Sequence, residues 1–517
     1  MATDERATDL LQGVTSYGSM MTALATASPD TVALVVQGQG QGALEGVAES
    51  DVLTRAELEG LANRLARDYQ ALGVNAGDFV TIALPNSLEF FTACLAVWKL
   101  GAVPNPVSHL LPRAERAAIV ERANPTLVVG VLEEGDDEAY DGRPCLPQDY
   151  SPRSECSDPL VPITSPSERA MASGGSTGLP KLIVAVNAAQ YDPQRASPLF
   201  KGRRAVLVPG PLYHGAPFSS AWQGLFSGCR VVVMQRFDAL KCIQLIEQHS
   251  VDRMMIVPTM MQRIWRLPEA QRVAVDMSSL EFVLSGGAPC PAWLMRSWIE
   301  WLGPTVMNEA FGPSERTGGT FITGTEWLEH PGSVGKPSAG AQLKILDDQG
   351  SELAPGEMGE IYMMPAGGTG STYRYVGAQA RVTEDGWESV GDMGYFDADG
   401  YLYLGDRRSD MVICGGRNIY PAEVEAAIDA HPHVRSSAVI GLPDEDRGQR
   451  LHAIVDIGSG TADVKEQDLR EHLAQQLVHY KVPTSIEIVS SLLRDDAGKM
   501  RRSALRDARL EDHSKRG

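Results

Sequence analysis

The feature that most restricts the fold is an alternation of helix-period and strand-like apolar runs through the first four hundred residues. From Thr54 the chain reads as a helix. Thr54 and Glu57 form a capping-box pair, Leu58, Leu61, Leu65, Tyr69 and Leu72 recur on one face, and Gly73 follows. Residues 79–84 are short and rich in β-formers, Pro85-Asn86-Ser87 breaks them, and 88–100 is an apolar helix closed by Gly101. Further apolar runs at 126–131, 205–208, 231–234, 253–257 and 282–284 are spaced widely enough for helices between them. That grammar predicts wound α/β sheets. With 517 residues, 43% of them hydrophobic, the chain can supply several cores.

Past residue 407 the pattern changes. Residues 421–430 read as helix, 436–440 and 451–457 as strands, 466–478 as helix and 485–489 as strand. This describes a compact α+β unit of about 110 residues, an ordinary domain size. The charged, turn-prone run Gly405-Asp406-Arg407-Arg408-Ser409-Asp410 precedes it and reads as a linker. The expected organisation is a large unit over 1–407, a hinge at 408–410 and a small unit over 411–517.

Charge and cysteine content exclude several function classes. Lys and Arg number 46 against 66 Asp and Glu, a formal charge of -20, which disfavours a nucleic-acid surface built on clustered cations. Seven cysteines form no CxxC pair, so neither a zinc ribbon nor a disulfide framework is indicated. The acidic start Met1-Ala-Thr-Asp-Glu-Arg lacks the order of a secretory signal, and no run of 18 apolar residues appears. A cytoplasmic protein without stable membrane insertion is expected.

The sharpest local segment is Ser173-Gly174-Gly175-Ser176-Thr177-Gly178-Leu179-Pro180-Lys181. Glycines let backbone N–H groups converge on an anion, while hydroxyls and a lysine add donors and charge, so the segment suits phosphates. It is not a P-loop, because Leu179-Pro180 separates Gly178 from Lys181. Residues 174–178 also satisfy the G-x-S-x-G elbow of serine hydrolases. An elbow needs a helix directly after its serine, whereas 182–186 reads as strand, which disfavours a hydrolase. A plain Gly/Ser surface loop is the alternative for the segment taken alone. A second cluster, Gly38-Gln39-Gly40-Gln41-Gly42-Ala43, follows the strand-like 32–36 but opens no clear helix, so a hairpin turn is favoured over a dinucleotide fingerprint.

Ser173 to Lys181 resembles the phosphate loop of the adenylate-forming superfamily of acyl-CoA synthetases, luciferases and nonribosomal adenylation domains. Six motifs stand in that family's order. After the loop come Phe311-Gly312-Pro313-Ser314-Glu315, with Phe for the usual Tyr and Ser for the usual Thr, then Gly356-Glu357-Met358-Gly359-Glu360 and Ser389-Val390-Gly391-Asp392. Asp406-Arg407-Arg408-Ser409-Asp410 with Gly415-Gly416-Arg417-Asn418-Ile419-Tyr420-Pro421 resembles the hinge and thiolation loop, and Asp496-Ala497-Gly498-Lys499 the terminal lysine motif. The resemblance implies wound α/β sheets with a β-barrel-like subdomain and a small mobile α+β domain at the C-terminus.

It also implies a set of roles. Ser173, Gly174, Gly175, Ser176, Thr177, Gly178 and Lys181 would hold the ATP phosphates, and Glu315 with Thr177 would place Mg²⁺, a hard cation suited to oxygen ligands. Gly286, Gly287, Ala288 and Pro289 would border the adenine, Phe311 would stack on it, and Glu309, Gly312 and Ser314 belong to the same nucleotide set. Asp392 would accept from the ribose hydroxyls and Arg407 would reach ribose or phosphate. Lys499 would bridge the acid carboxylate and the α-phosphate. Gly415 and Gly416 would line the thiol route, and Ser409 or Asp410 would be the pivot. His214, in Tyr213-His214-Gly215-Ala216, would gate the acyl pocket. Taken singly, Lys499 and Arg407 read as solvated surface charges, Asp392 as a turn residue and Phe311 as core. Small residues at Gly215, Ala216, Ser219 and Ser220 suggest a bulky acid, as in bacterial ligases for bile acids, steroid side chains or other polycyclic acids.

The implied activity is ATP-dependent acid:CoA ligation with coenzyme A as acceptor and a hydrophobic carboxylic acid as substrate. A homodimer is compatible with this. Two rivals remain: an adenylation enzyme that uses the same residues to load a carrier-protein phosphopantetheine, and a catalytically silent binding protein that retains the fold, against which Lys181, Glu315, Asp392, Arg407 and Lys499 together count.

Overall fold

The computed structural model describes residues 13–38, 50–131, 140, 142–174, 180–194, 200, 202–338, 340–407, 410–415, 417–444, 446–458, 464–494 and 500–516. Helix α1 (Tyr17–Ala27) leads into β1 (Val32–Gln37), which pairs antiparallel with β2 (Ser50–Thr54), as a hairpin and not a dinucleotide turn requires. Thr54 then caps α2 (Arg55–Ala71): its hydroxyl accepts from the Glu57 N–H at 3.2 Å, and the Glu57 carboxylate accepts from the Thr54 N–H at 2.8 Å. Strand β3 (Phe79–Ile82), α3 (Leu88–Lys99), β4 (Val103–Pro106), α4 (Arg113–Ala123), β5 (Leu127–Val131) and β6 (Cys145–Pro147) build a parallel sheet ordered β4-β3-β5-β6. An antiparallel hairpin follows, β7 (Ala170–Gly174) and β8 (Pro180–Ala185).

The second wound sheet contains β9 (Ala205–Val208), α5 (Gly215–Phe226), β10 (Arg230–Met234), α6 (Ala239–His249), β11 (Arg253–Ile256), α7 (Pro258–Trp265), β12 (Phe282–Gly286), α8 (Ala292–Leu302), β13 (Met307–Phe311), β14 (Thr320–Thr323) and β15 (Lys336–Pro337). Its order is β15-β14-β13-β12-β11-β9-β10-β1-β2, and the run from β13 to β1 is parallel. Parallel strands covered on both faces should be apolar throughout, and alternate residues should enter opposite cores. They do. Val206, Val208, Val231 and Val233 join a core with Trp98, Phe91 and Trp222, while Ala205, Leu207, Val232 and Met234 join one with Met295 and Trp298.

The chain then changes to antiparallel pairing. Strands β16 (Gln342–Leu346), β17 (Gly359–Met364), β18 (Tyr373–Val376), β19 (Arg381–Val382), β20 (Glu388–Ser389), β21 (Asp392–Phe396) and β22 (Leu402–Arg407) follow. Six of them form the barrel-like subdomain as an antiparallel sheet, β19-β20-β17-β21-β22 with β16 on β17. Strand β18 leaves that sheet and pairs with β8, giving β18-β8-β7. Strand β22 extends to Arg407, so the first half of the expected 405–410 linker is sheet, held by the pairing of Asp392 with Arg407.

The small unit has β23 (Val412–Cys414), β24 (Arg417–Ile419), α9 (Pro421–Asp429), β25 (Ser436–Asp444), β26 (Gly448–Asp456), α10 (Glu466–Gln476), β27 (Ser485–Val489) and α11 (Arg502–Arg516). Its sheet is β24-β23-β26-β25 with β27 parallel on β26, and Val424, Ile428, Leu451, Val455 and Leu473 fill a core of its own. Strands β25 and β26 run longer than the sequence suggests because nine residue pairs continue the ladder through Pro443 to Asp444. Gln262 on α7 and Arg266 at its C-terminal cap both donate to the Asp429 carbonyl, at 3.4 and 3.2 Å, and Arg501 pairs with Glu115 at 2.8 Å.

Gly335 ties the wound sheet to the antiparallel one by bridging Leu402, at φ 95°, with the Phe321 carbonyl where a side chain would begin. A β-carbon there would run into that carbonyl in a conformation side chains rarely adopt. Gly335→Ala should therefore lose roughly 2–3 kcal/mol or more, read as a lowered midpoint in denaturant unfolding.

Candidate functional site

The phosphate-loop segment is built on the β7–β8 hairpin. Ser173 pairs with Lys181 and Gly174 with Pro180, and the residues joining the strands, which include Gly175, Ser176, Thr177 and Gly178, lie outside the described residues. Strand β8 begins at Pro180, four residues after Ser176, where a hydrolase elbow would run on as a helix. The Ser173 hydroxyl is buried without a partner among the described residues, as a donor awaiting an acceptor would be.

Lys181 points at the second motif. Its Nζ lies 3.4 Å from Glu315 Oε1 and 3.9 Å from the centre of the Tyr375 ring. The Tyr375 hydroxyl donates to the same Glu315 oxygen at 2.5 Å. Glu315 is only 6% exposed. Burial first, and the Glu315 charge next, hold the Tyr375 phenol far above its usual range, so it remains a donor. Tyr375 is absent from the sequence-based set. It reaches the site because β18 pairs with β8, a pairing no local motif announces. A buried anionic oxygen beside a phosphate-suited lysine fits a hard divalent cation together with a polyphosphate.

The residues expected to border the adenine lie at adjacent strand ends, the usual mouth of a wound sheet. Strand β12 ends at Gly286, Gly287 turns with φ 83°, and Gly286 pairs with Ala310 beside Phe311. A β-carbon on Gly286 would stand 3.0 Å from the Ala310 carbonyl, a tight contact that would press the neighbouring strand outward. Ala288 and Pro289 continue the turn, and Gly312 and Ser314 are exposed on the stretch that leads to Glu315. Asp392 is half-buried at the start of β21, opposite Arg407 in register. Gly415 has φ 57° and donates its N–H to the Arg447 carbonyl at 2.9 Å. Gly416, Ser409 and Lys499 lie outside the described residues.

Glu309 is placed differently from its motif neighbours. It is 3% exposed inside β13, next to Ser285 of β12, and accepts a hydrogen bond from the Cys290 N–H just after Pro289. It braces the Gly286–Pro289 turn from within the sheet. Burial pushes its carboxyl up to about 8.

His214, expected to gate the acid, precedes the first residue of α5 with its ring 4.6 Å from that of Tyr213. Gly215 opens the helix, and a β-carbon there would meet Arg169 Nη2 at 3.6 Å, Met171 Sδ at 3.8 Å and Ser314 Oγ at 4.0 Å. The helix N-terminus and the Ser314–Glu315 turn therefore share one space. Ser219, one turn on, accepts from Arg169 at 2.9 Å and from Arg316 at 2.7 Å. Neither arginine was singled out from sequence.

An acid whose pKa rises on folding gives its full stability below its unfolded value and loses it as pH climbs through the folded one. For Glu309 that window runs from 4.5 to about 8. Glu309→Gln, which copies the protonated shape, should thus gain on the parent across this interval and hold a constant lead above it. Urea unfolding of both proteins at acid, neutral and alkaline pH checks this.

Residues 22–373 match the family model described as AMP-binding enzyme, and residues 423–499 match the AMP-binding enzyme C-terminal domain. The 2-succinylbenzoate–CoA ligase of Bacillus licheniformis is 31% identical over 462 residues, covering 88% of this chain and 94% of that protein. The long-chain-fatty-acid–CoA ligase FadD13 of Mycobacterium tuberculosis is 29% identical over 487 residues, covering 88% and 93%. Among solved structures, the o-succinylbenzoate coenzyme A synthetase of Bacillus subtilis in complex with ATP and magnesium ion superposes with a TM-score of 0.76 at 25% identity, covering 95% of this chain and 99% of that one. The chain therefore belongs to the AMP-binding enzyme family, the adenylate-forming superfamily that includes the acyl-CoA synthetases.

Proposed function

We propose that this protein is an ATP-dependent, AMP-forming acid:CoA ligase acting in the cytoplasm on a bulky, largely hydrophobic carboxylic acid. The observation that carries the reading is the meeting of Lys181, Glu315 and Tyr375, drawn from three distant segments onto one carboxylate oxygen beside a hydroxyl- and glycine-rich turn. Relatives with large sequence overlap are named as CoA ligases for quite different acids, which supports the reaction and leaves the acid to this chain's own pocket. Among the described residues no helix is long and apolar enough to cross a membrane.

The reaction divides into two displacements. An oxygen of the acid carboxylate attacks the α-phosphorus of ATP, the bond to the bridging oxygen breaks, and pyrophosphate leaves. The CoA sulfur then attacks the acyl carbon, forming the thioester and expelling AMP. Ser173, Ser176, Thr177 and Gly178 would hold the phosphates with Lys181, and the segment from Gly286 to Pro289 with Phe311 would hold the base. Glu315 with Thr177 would hold Mg²⁺, which when bound offsets phosphate charge. Tyr375 keeps the Glu315 carboxylate oriented toward that position. Asp392 and Arg407 would fix the ribose, His214 would gate the acid, and Lys499 would steady charge between carboxylate and α-phosphate, where preorganised cations lower a barrier most. The large unit over 1–407 would carry the first step. The small unit over 411–517, turning at 408–410, would bring Gly415 and Gly416 to the thiol route for the second.

A panel of fatty, aryl and polycyclic acids, read by pyrophosphate release with and without CoA, tests the reading. Acid-dependent release with thioester formed only when CoA is present is the expected result, and silence with every acid class would sink it. Lys499→Ala should abolish adenylate formation while thioester synthesis from a supplied acyl-adenylate persists; equal loss in both assays removes Lys499 from the first step. Tyr375→Phe deletes a hydrogen bond to a charged group, worth about 1.5 kcal/mol or more. It should raise the KM for Mg·ATP roughly ten-fold and leave that for the acid unchanged, as steady-state kinetics in each substrate would show.

A further inference from the structure

The acid side of the site holds a cation that neither displacement uses. Glu168 and Arg169 lie just before β7, and Arg316 directly follows Glu315. Arg169 Nη1 lies 2.7 Å and Arg316 Nη1 2.5 Å from the same Glu168 oxygen, and the Tyr17 hydroxyl donates to the other oxygen at 3.4 Å. Burial works to raise the Glu168 carboxyl, but the two guanidinium charges outweigh it and hold it below its ordinary value, so it stays ionised. Among the described residues, two guanidinium groups thus share one carboxylate, leaving an excess of one positive charge.

The placement of that excess is informative. Arg169 is 5% exposed and Glu168 8%, whereas the Arg316 side chain keeps 34% of its surface open. Both arginines donate to Ser219 on α5, and a β-carbon on Gly215 would stand 3.6 Å from Arg169 Nη2 and 4.0 Å from Ser314 Oγ, so Arg169 is covered at the back of the cluster and Arg316 is its open member. Arg316 also stands at φ 56°, a left-handed conformation rare for a residue with a side chain and commonly found where a site demands it. An uncompensated charge in a partly closed space favours an anionic partner, and a guanidinium fork matches a carboxylate in shape.

We propose that Arg316, backed by Arg169, recognises a second carboxylate on the acid, so that one end of a dicarboxylic substrate is activated while the other is held. This rests on the ligase reading and specifies its substrate class. The reacting carboxylate is the poorer partner. A fork that engages both of its oxygens would tie up the attacking atom and stabilise the ground state as much as the transition state.

The test uses the full chain with Mg·ATP and matched pairs of dicarboxylic acids and their mono-methyl esters on aliphatic, aryl and polycyclic skeletons. For at least one skeleton the free diacid should exceed its half-ester ten-fold or more in kcat/KM, chiefly through KM. Arg316→Met should bring that ratio close to one by raising the diacid KM, and Arg316→Lys should restore part of it. Equal kcat/KM for diacid and half-ester on every skeleton in the parent protein would overturn the proposal, whether or not the variants fold. So would an equal loss for both acids in Arg316→Met, which would put the arginine on the reacting end. In either case acid-dependent pyrophosphate release would persist, whereas its complete absence would count against the ligase reading instead.

Discussion

A buried carboxylate sets the terms for this site. Glu315 is almost wholly withdrawn from water, where an unpartnered charge is strongly disfavoured. Its partners are Lys181 on β8 and Tyr375 on β18, so the carboxylate is tolerable only when those strands are paired and the β13 end lies against them. Partnering also leaves the charge available. Lysine is a mobile point cation that can turn to a phosphate, and the phenol can remain on the carboxylate as it does so.

The architecture serves this meeting. The two wound sheets share a core of interleaved helices, and two neighbouring strands of the second end where Gly286 pairs with Ala310 beside Phe311. The antiparallel sheet lends one strand, β18, to the hairpin that presents Lys181. Gly335 fastens the last long stretch of the wound sheet to that antiparallel layer. Lys181, Glu315 and Tyr375, which come from separate layers, are thereby held in a fixed relation.

Much of the frame was legible in the sequence because its signals are local. The Thr54–Glu57 box, the helix at 88–100 and the strands at 205–208 and 485–489 come from contacts within a few residues, and each stands within a residue or so of its expected bounds. Lys181 and Glu315 were legible only through motif order, and the structure brings them together across 134 residues. Tyr375 and Arg316 were not legible. A tyrosine on a short strand looks like core, and an arginine after a motif looks like surface, until strand pairing and a left-handed turn give them partners. Glu309 misleads in the opposite way: it neighbours a nucleotide motif, yet the β12–β13 register turns it inward.

The attachment of the small unit carries its own consequence. Arg266 and Gln262 grip a main-chain oxygen at the end of α9, where the helix dipole is negative, and Arg501 meets Glu115 at the surface. Hydrogen bonds to a carbonyl and an exposed ion pair are each worth only about 1 kcal/mol in water. Neither depends on the identity of the Asp429 side chain, which is engaged inside its own body with Ser437. Such polar moorings cost little to break and remake, and the small unit, which has a core of its own, does not rely on them to stay folded.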